Sequence, residues 1–434
     1  MARVVIGIHF GVSNTKVSWL TCDNTGIKRP LDWISQWPCA KTGFTNRTRS
    51  MVPSRIYYDS TGDVTWGYST PEDAQSIQCL PLLLLNRLHV PPDRGYCSNF
   101  DIAFRQCDEQ GKNPQDVVLD YLGRLYYHVT GQIEKRLTAA VFSKTPIHVV
   151  FTSPGGWNTE TTIMLRQTVE NSLIKHNRPS GKITISVIPE LGAIALATFR
   201  GPSCLASIDV GDVFTVLSVD AGTTNIITYG VDASIPGFAF KALSDRTEFS
   251  GPLILRDRFK DQVRDKIGDK RWNAMSSGAI DELMASWDMH MKVSEPSSPQ
   301  AAWIVRVETG RRATNITFDQ TELRDIHNSI VPVINSLVAA HVITTSQATN
   351  TSPKFLVLAG EIFKNDYIVS SIKNTWNSMN ECAGSTVLNA SDAPSNPWLV
   401  ISRSAALSGM IQCQLGNVAV VCPRSQHPIY SYPQ

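Results

Sequence analysis

Apolar and polar positions along the chain switch repeatedly between a period of two and a period of 3.6, the rhythms of strands and helices. Residues 4–10 form a short β-branched apolar run closed by Gly11, and a second run reopens at 16–20. Together they predict a hairpin. Further strand signals stand at Ile56-Tyr57-Tyr58 and Val64-Thr65-Trp66. From Pro114 onward, Val118, Leu122, Leu125, Val129 and Ile133 fall on one face at helical spacing. A buried strand over 148–152, a helix over 158–177, a strand over 183–188 and a small-residue helix over 190–198 follow.

The second half repeats the scheme. Strands are predicted at 213–220 and 226–231 around Gly222, and helices at about 252–267 and 271–291. A long helix is expected from the N-cap Asp319 to about Thr344, kinked at Pro332. After it come a strand at 355–358, a helix near 365–378, a strand at 398–401 and a helix at 404–412. Segments 201–212 and 345–353 read as surface loops, and the stretch after Cys422 as extended. Two tandem hairpin-plus-helix halves predict an α/β architecture with a duplicated sheet-plus-helices core and a central cleft between two lobes. The boundaries fall at 1–200, 201–415 and a C-terminal tail over 416–434.

Composition narrows the function classes. The 434 residues carry 40 basic and 38 acidic side chains, a formal charge of +2 with no concentrated basic stripe. This argues against nucleic-acid and membrane-surface partners. Nine cysteines include no C-x-x-C pair, which predicts reduced, mostly buried thiols rather than a zinc site or a disulfide framework. The N-terminal apolar run is short for a signal peptide, and no stretch reaches the ~20 apolar residues of a spanning helix. The expectation is a cytoplasmic protein, with the sequons at Asn46, Asn315, Asn350 and Asn389 arising by chance.

The chemistry is concentrated in two glycine turns. The first reads Ile8-His9-Phe10-Gly11-Val12-Ser13-Asn14-Thr15-Lys16, the second Val219-Asp220-Ala221-Gly222-Thr223-Thr224-Asn225. Each is a strand, a polar residue, a spacer, glycine, and then hydroxyl residues leading into another strand. Such turns expose N–H groups and hydroxyls that can cradle phosphate oxygens, although hairpins of this composition are common without that role. Asp220 at a strand end is placed to hold a hydrated metal. His128 and His148 read as structural, Trp157 and Tyr229 as core, and Asp288 and His290 as too close in sequence to face each other on a helix.

The ordered set of motifs resembles the actin, sugar-kinase and 70-kDa heat-shock ATPase superfamily. Leu217 to Thr224 is similar to its phosphate loops, and Val149 to Trp157 resembles the strand and turn before the first connecting helix. Ile188-Pro189-Glu190-Leu191-Gly192 resembles the helix whose glutamate lies by the attacking water. Trp66-Gly67-Tyr68 is similar to a segment of divergent heat-shock-70-like proteins. Ile330 to Leu337 resembles the helix before the adenosine strand, Leu356 to Glu361 the adenosine motif, and Ala405 to Gly409 the second connecting helix. The resemblance implies a two-lobed actin/heat-shock-70-like fold with ATP or ADP and Mg2+ in the interlobe cleft. Gly11, Ser13, Asn14, Thr15 and Lys16, with Gly222, Thr223 and Thr224, would hold phosphates. Gly360 and Glu361 would face the adenosine, Asp220 the metal and Glu190 the water.

Departures from the pattern redirect the expectation. His9 stands where the family's first loop begins with an aspartate, and imidazole nitrogen is a poor ligand for Mg2+. The heat-shock lysine after Trp66-Gly67 has no counterpart in residues 69–72, and the adenosine motif keeps only Gly360, preceded by Ala359. Thr223 and Thr224 replace chaperone glycines, in a form sugar kinases tolerate, while Lys16 falls where actin and sugar kinases place a phosphate-reaching lysine. The few residues after Pro423 predict no peptide-binding domain.

Three expectations follow. One is a degenerate ATPase-fold protein binding a nucleotide or other small ligand with weak or no hydrolysis. Another is an ATP-independent enzyme recruited to secondary-metabolite biosynthesis. There, His9, Glu190 and Asp220 would catalyse acid–base cyclisation, dehydration or isomerisation of a small molecule in the cleft. The last is a scaffold that kept only the fold.

Overall fold

The structure is a computed structural model that describes all residues except 1, 40–48, 72–73, 86–95, 156, 158, 175–181, 201–203, 221, 233–238, 249, 293–301, 310–311, 391–398, 416–419 and 422–434. Its strands are β1 (Arg3–Phe10), β2 (Asn14–Asp23), β3 (Gly26–Trp33), β4 (Val52–Pro53), β5 (Ile56–Tyr58), β6 (Val64–Trp66), β7 (Ile147–Ser153) and β8 (Ile183–Pro189) in the first half. The second half holds β9 (Val213–Asp220), β10 (Thr223–Asp232), β11 (Ala239–Glu248), β12 (Trp303–Thr309), β13 (Arg312–Phe318), β14 (Phe355–Ala359), β15 (Thr386–Asn389) and β16 (Val420–Val421).

The fold is mixed α/β, and its two large sheets are built alike. The first runs β3-β2-β1-β7-β8, with β4 pairing β2; the second runs β15-β14-β9-β10-β11-β16. In each, an antiparallel meander of three strands is extended from its first strand by two parallel strands. Parallel additions need crossover segments, and helices supply them.

Period-two alternation sorts β1 onto two faces. Val4, Ile6, Ile8 and Phe10 pack into one core with the helix Pro114–Leu137, while Val5 enters a central core on the opposite face. Likewise, Leu217 and Val219 of β9 join an outer core with the helix Pro252–Ile267, while Phe214 and Val216 face the centre. The helices Glu190–Arg200 and Val400–Leu415 fill that central layer and pack on each other. Small residues let the second of these lie directly on β1. A Cβ on Gly7 would stand 2.2 Å from the Ser402 carbonyl oxygen, and one on Gly409 2.6 Å from Val5 Cγ1. Phe199, Phe214 and Phe355 pack edge-to-face and tilted beside this layer.

Several expectations need correction. The expected helix over 271–291 divides into Asp269–Trp272 and Ser277–Lys292. The long helix from Asp319 is two helices, Gln320–His327 and Val331–Thr349, bent by 43°. Pro332 therefore lies in the first turn of a new helix, where its missing N–H costs nothing, rather than kinking an old one. That second helix continues to Thr349, so the loop expected from 345 begins later. The apolar run at 399–401 opens the helix at Val400 and is not a strand. Position 398, the helix ends over 175–177, and the tail after Cys422 lie outside the described residues. No single described helix is long and apolar enough to cross a membrane. Of the seven described free cysteines, Cys22, Cys107 and Cys382 are buried, whereas Cys39 and Cys204 are exposed.

Candidate functional site

Three elements end at one point between the halves. His9 is the penultimate residue of β1, Asp220 closes β9, and Glu190 opens the helix Glu190–Arg200 directly after β8. A helix N-terminus collects unpaired N–H groups and positive potential, a favourable place for a carboxylate. His9 Nε2 lies 3.4 Å from Asp220 Oδ2 and 3.9 Å from Glu190 Oε2. One donor atom from each of the three lies within 4.8 Å of the others.

Burial sets the character of this cluster. His9 and Glu190 are each 1 % exposed, and neither His9 ring nitrogen has a hydrogen-bond partner of good geometry. Glu190 accepts a hydrogen bond from Ser218 Oγ at 2.7 Å. Burial pushes the Glu190 carboxyl up from its ordinary range, and the neighbouring Asp220 charge adds to this; His9, Ser218 and Lys16 oppose it. Asp220, with its side chain 24 % exposed, is the member that opens toward solvent. Lys16 is the cross-strand partner of His9 in the β1–β2 register and is also buried.

Beside the cluster lies a cleft of about 100 Å³, lined from both halves. The first half contributes Gly11, Ser13, Asn14 and Lys16, and the second Asp220, Arg256, Trp287 and Asp288. Gly11 is required by close approach, since a Cβ there would meet the Asn14 carbonyl oxygen at 2.7 Å and His9 Cε1 at 3.2 Å. Ser54 supports the turn from outside, donating to the Gly11 carbonyl at 2.7 Å.

Most of the other residues singled out from sequence are placed away from this cleft, Asp288 being the exception that lines it. Thr15 points to the opposite face of β2, where its hydroxyl pairs with Ser54 at 3.0 Å and accepts from Tyr121 at 2.9 Å. Thr224 donates to the Ser250 carbonyl at 2.5 Å, and Thr223 accepts from Asn225 Nδ2 at 3.1 Å. Gly222 is half-buried and is not among the residues lining the cleft. Gly360 has a φ of +134°, and a Cβ there would stand 2.3 Å from the Val219 carbonyl oxygen, so it packs β14 against the strand bearing Asp220. The Glu361 side chain lies outside the described residues. His128 bonds the Gln36 carbonyl at 2.6 Å, Tyr229 is fully buried, and Asp288 and His290 point apart, the first toward Arg256 at 3.8 Å and the second stacked on Trp303.

Sequence reasoning missed Ser218, Ser54, Arg256 and Trp287. Ser218 carried a readable signal, for it lies two positions before Asp220 and so shares its face of β9. The others arrive from distant segments and left none.

These residues do not fit ATP with Mg2+ as they stand. Ligand-sized pockets run to roughly 300–1,000 Å³, whereas this cleft is about 100 Å³. Mg2+ asks for an octahedron of oxygens, and an imidazole nitrogen stands at 3.4 Å from the carboxylate that would anchor it. No protein-family model and no curated protein matches this chain.

Proposed function

We propose that the chain has an actin- and heat-shock-70-like fold whose interlobe cleft performs acid–base chemistry on a small organic molecule without nucleotide. The repeated sheet arrangement and the paired central helices support the fold. The observation that carries the chemistry is His9, almost wholly buried, with its Nε2 set between the Asp220 and Glu190 carboxylates. Of the three, only Asp220 lines the cleft and so meets the substrate, while Glu190, held toward its protonated form by burial, and the His9 imidazole stand behind it as proton donor and proton acceptor of the cluster. Removal and return of protons at neighbouring atoms suit isomerisation, dehydration or cyclisation. Lys16 offers a cation for an anionic group on the substrate.

A second reading, a degenerate nucleotide switch, is favoured by the Gly11, Ser13, Asn14 and Lys16 lining. It requires the halves to part. Thermal unfolding of wild type and His9→Asp, each with and without millimolar magnesium-ATP, separates the two. A ligand that binds only the native state must stabilise it. The acid–base reading expects no shift in wild type; a wild-type rise of several degrees would transfer the assignment to the nucleotide switch.

A further inference from the structure

A second cavity, of about 410 Å³, opens on the first half, and no described residue lines both it and the interlobe cleft. Its size is that of a small-ligand pocket, which runs to roughly 300–1,000 Å³. The helix Pro114–Leu137 supplies most of its wall. Val118, Leu122, Leu125 and Val129 of that helix turn into the core. Asp120, Arg124 and Tyr127 recur at i, i+4 and i+7 on a neighbouring stripe, beside Leu119 and His128, and all five face the cavity with Trp66.

Part of this wall is aromatic and held in place. Trp37 stacks on His128 with ring centroids 5.5 Å apart, and Trp66 stands edge-on to both, at 6.4 Å from Trp37 and 5.9 Å from His128. His128 Nε2 donates to the Gln36 carbonyl at 2.6 Å, which fixes the ring, and burial lowers the pKa of its imidazole, so it is an uncharged wall. Tyr127, 71 % exposed, leaves its ring open at the cavity edge. The charges are Asp120 and Arg124. Asp120 accepts a hydrogen bond from the Tyr58 hydroxyl at 3.0 Å. An acid and an arginine one helical turn apart are placed to pair with each other. These two do not, and neither has an ion-pair partner among the described residues. Both charges are offered to the cavity.

We infer that this cavity binds a free aromatic amino acid as its zwitterion. The ring lies against Trp66, Tyr127 and Leu119, where flat apolar surface meets its like. The α-ammonium pairs with Asp120, and the α-carboxylate with Arg124, whose planar fork fits it. Two opposite charges carried on one carbon thus answer two opposite charges one helical turn apart. An aromatic side chain inside a peptide brings the ring with neither charge. An aromatic amine or an aromatic acid satisfies one of the two residues and leaves the other unpaired, and that difference sets the specificity.

The test is isothermal titration calorimetry of the full chain with L-phenylalanine, phenethylamine, 3-phenylpropionate and L-alanine at neutral pH. L-phenylalanine is expected to bind at one site, about tenfold more tightly than phenethylamine or 3-phenylpropionate, each of which lacks one charged contact. L-alanine, without the ring, is expected to bind more weakly than L-phenylalanine. Arg124→Gln is expected to weaken L-phenylalanine about tenfold and to leave phenethylamine unchanged. Asp120→Asn, which keeps an acceptor for Tyr58, is expected to weaken L-phenylalanine to a similar degree and to leave 3-phenylpropionate unchanged. Arg124 is exposed, so its replacement leaves the core intact. No binding of L-phenylalanine at millimolar concentration, or binding that both variants leave unaltered, overturns the inference. Binding lost in His9→Asp and kept in Arg124→Gln would place the ligand in the interlobe cleft, and overturns it as well.

Discussion

A carboxyl group at 1 % exposure has lost nearly all its hydration, and Glu190 recovers part of it from Ser218, His9 and Lys16 while facing the Asp220 charge. Its folded-state pKa is raised above the ordinary 4.5, so the folded chain holds this proton to higher pH than the unfolded chain does. The stability it contributes is present below that ordinary value and is lost as pH rises through the raised one. Glu190→Gln keeps an acceptor for Ser218 and removes the buried charge. Calorimetry should find it melting roughly a few degrees above wild type at pH 7 to 8, with the gap closing near pH 4. A wild-type melting temperature that ignores pH across this range would contradict the assignment. Gly11→Ala probes the same site by volume. Its methyl would press on the Asn14 carbonyl and the His9 ring, costing about 1–3 kcal/mol and displacing the imidazole resonance in NMR spectra. At this scale the sequence singled out His9 and Asp220 by their glycine turns and Glu190 by resemblance to a family helix, and the three do come together. Thr15 and Thr224 were legible as hydroxyls only, since which face they take depends on strand pairings the local sequence does not display.

Among the elements, the helix Gln320–His327 gives the clearest local argument. Asp319 accepts from the Glu322 N–H at 2.9 Å while Glu322 returns the contact to the Asp319 N–H at 3.0 Å. This is a complete capping box. Asp319→Ala should cost about 1 kcal/mol, seen as a lower urea midpoint with an unchanged m-value. The N-cap Asp319 was readable in the sequence; the break after His327 was not, because Ile330 and Val331 continue the apolar rhythm through it. Missed strands have similar causes. Lys28, Arg29, Pro30 and Asp32 give β3 an edge-strand composition, and Ser244 to Glu248 make half of β11 polar. At 399–401 a short apolar run suits strand or buried helix equally, and tertiary packing decided for helix.

For the whole molecule, the informative feature is the shared central core. Phe199 of the helix Glu190–Arg200 packs on Phe214 of β9 at 4.7 Å and Phe355 of β14 at 5.5 Å between ring centroids. Phe199→Ala should cost about 3–5 kcal/mol and lower the melting of both halves in one transition. Two separated calorimetric transitions would show that the halves are energetically independent. The tandem α/β rhythm was legible in the sequence, because both halves lead with an apolar hairpin. The central layer was not, because its contacts join residues nearly the full chain length apart.

That layer has a consequence for synthesis. The face of β1 and β2 that begins the chain is covered by the helix Val400–Leu415, near the end of the described residues. At about 5–20 residues per second, translation leaves this apolar face bare for roughly 20–80 seconds. Ribosome-bound chains stalled before Val400 should therefore bind an apolar-surface dye and draw holdases, and both signals should vanish once the helix Val400–Leu415 has left the exit tunnel.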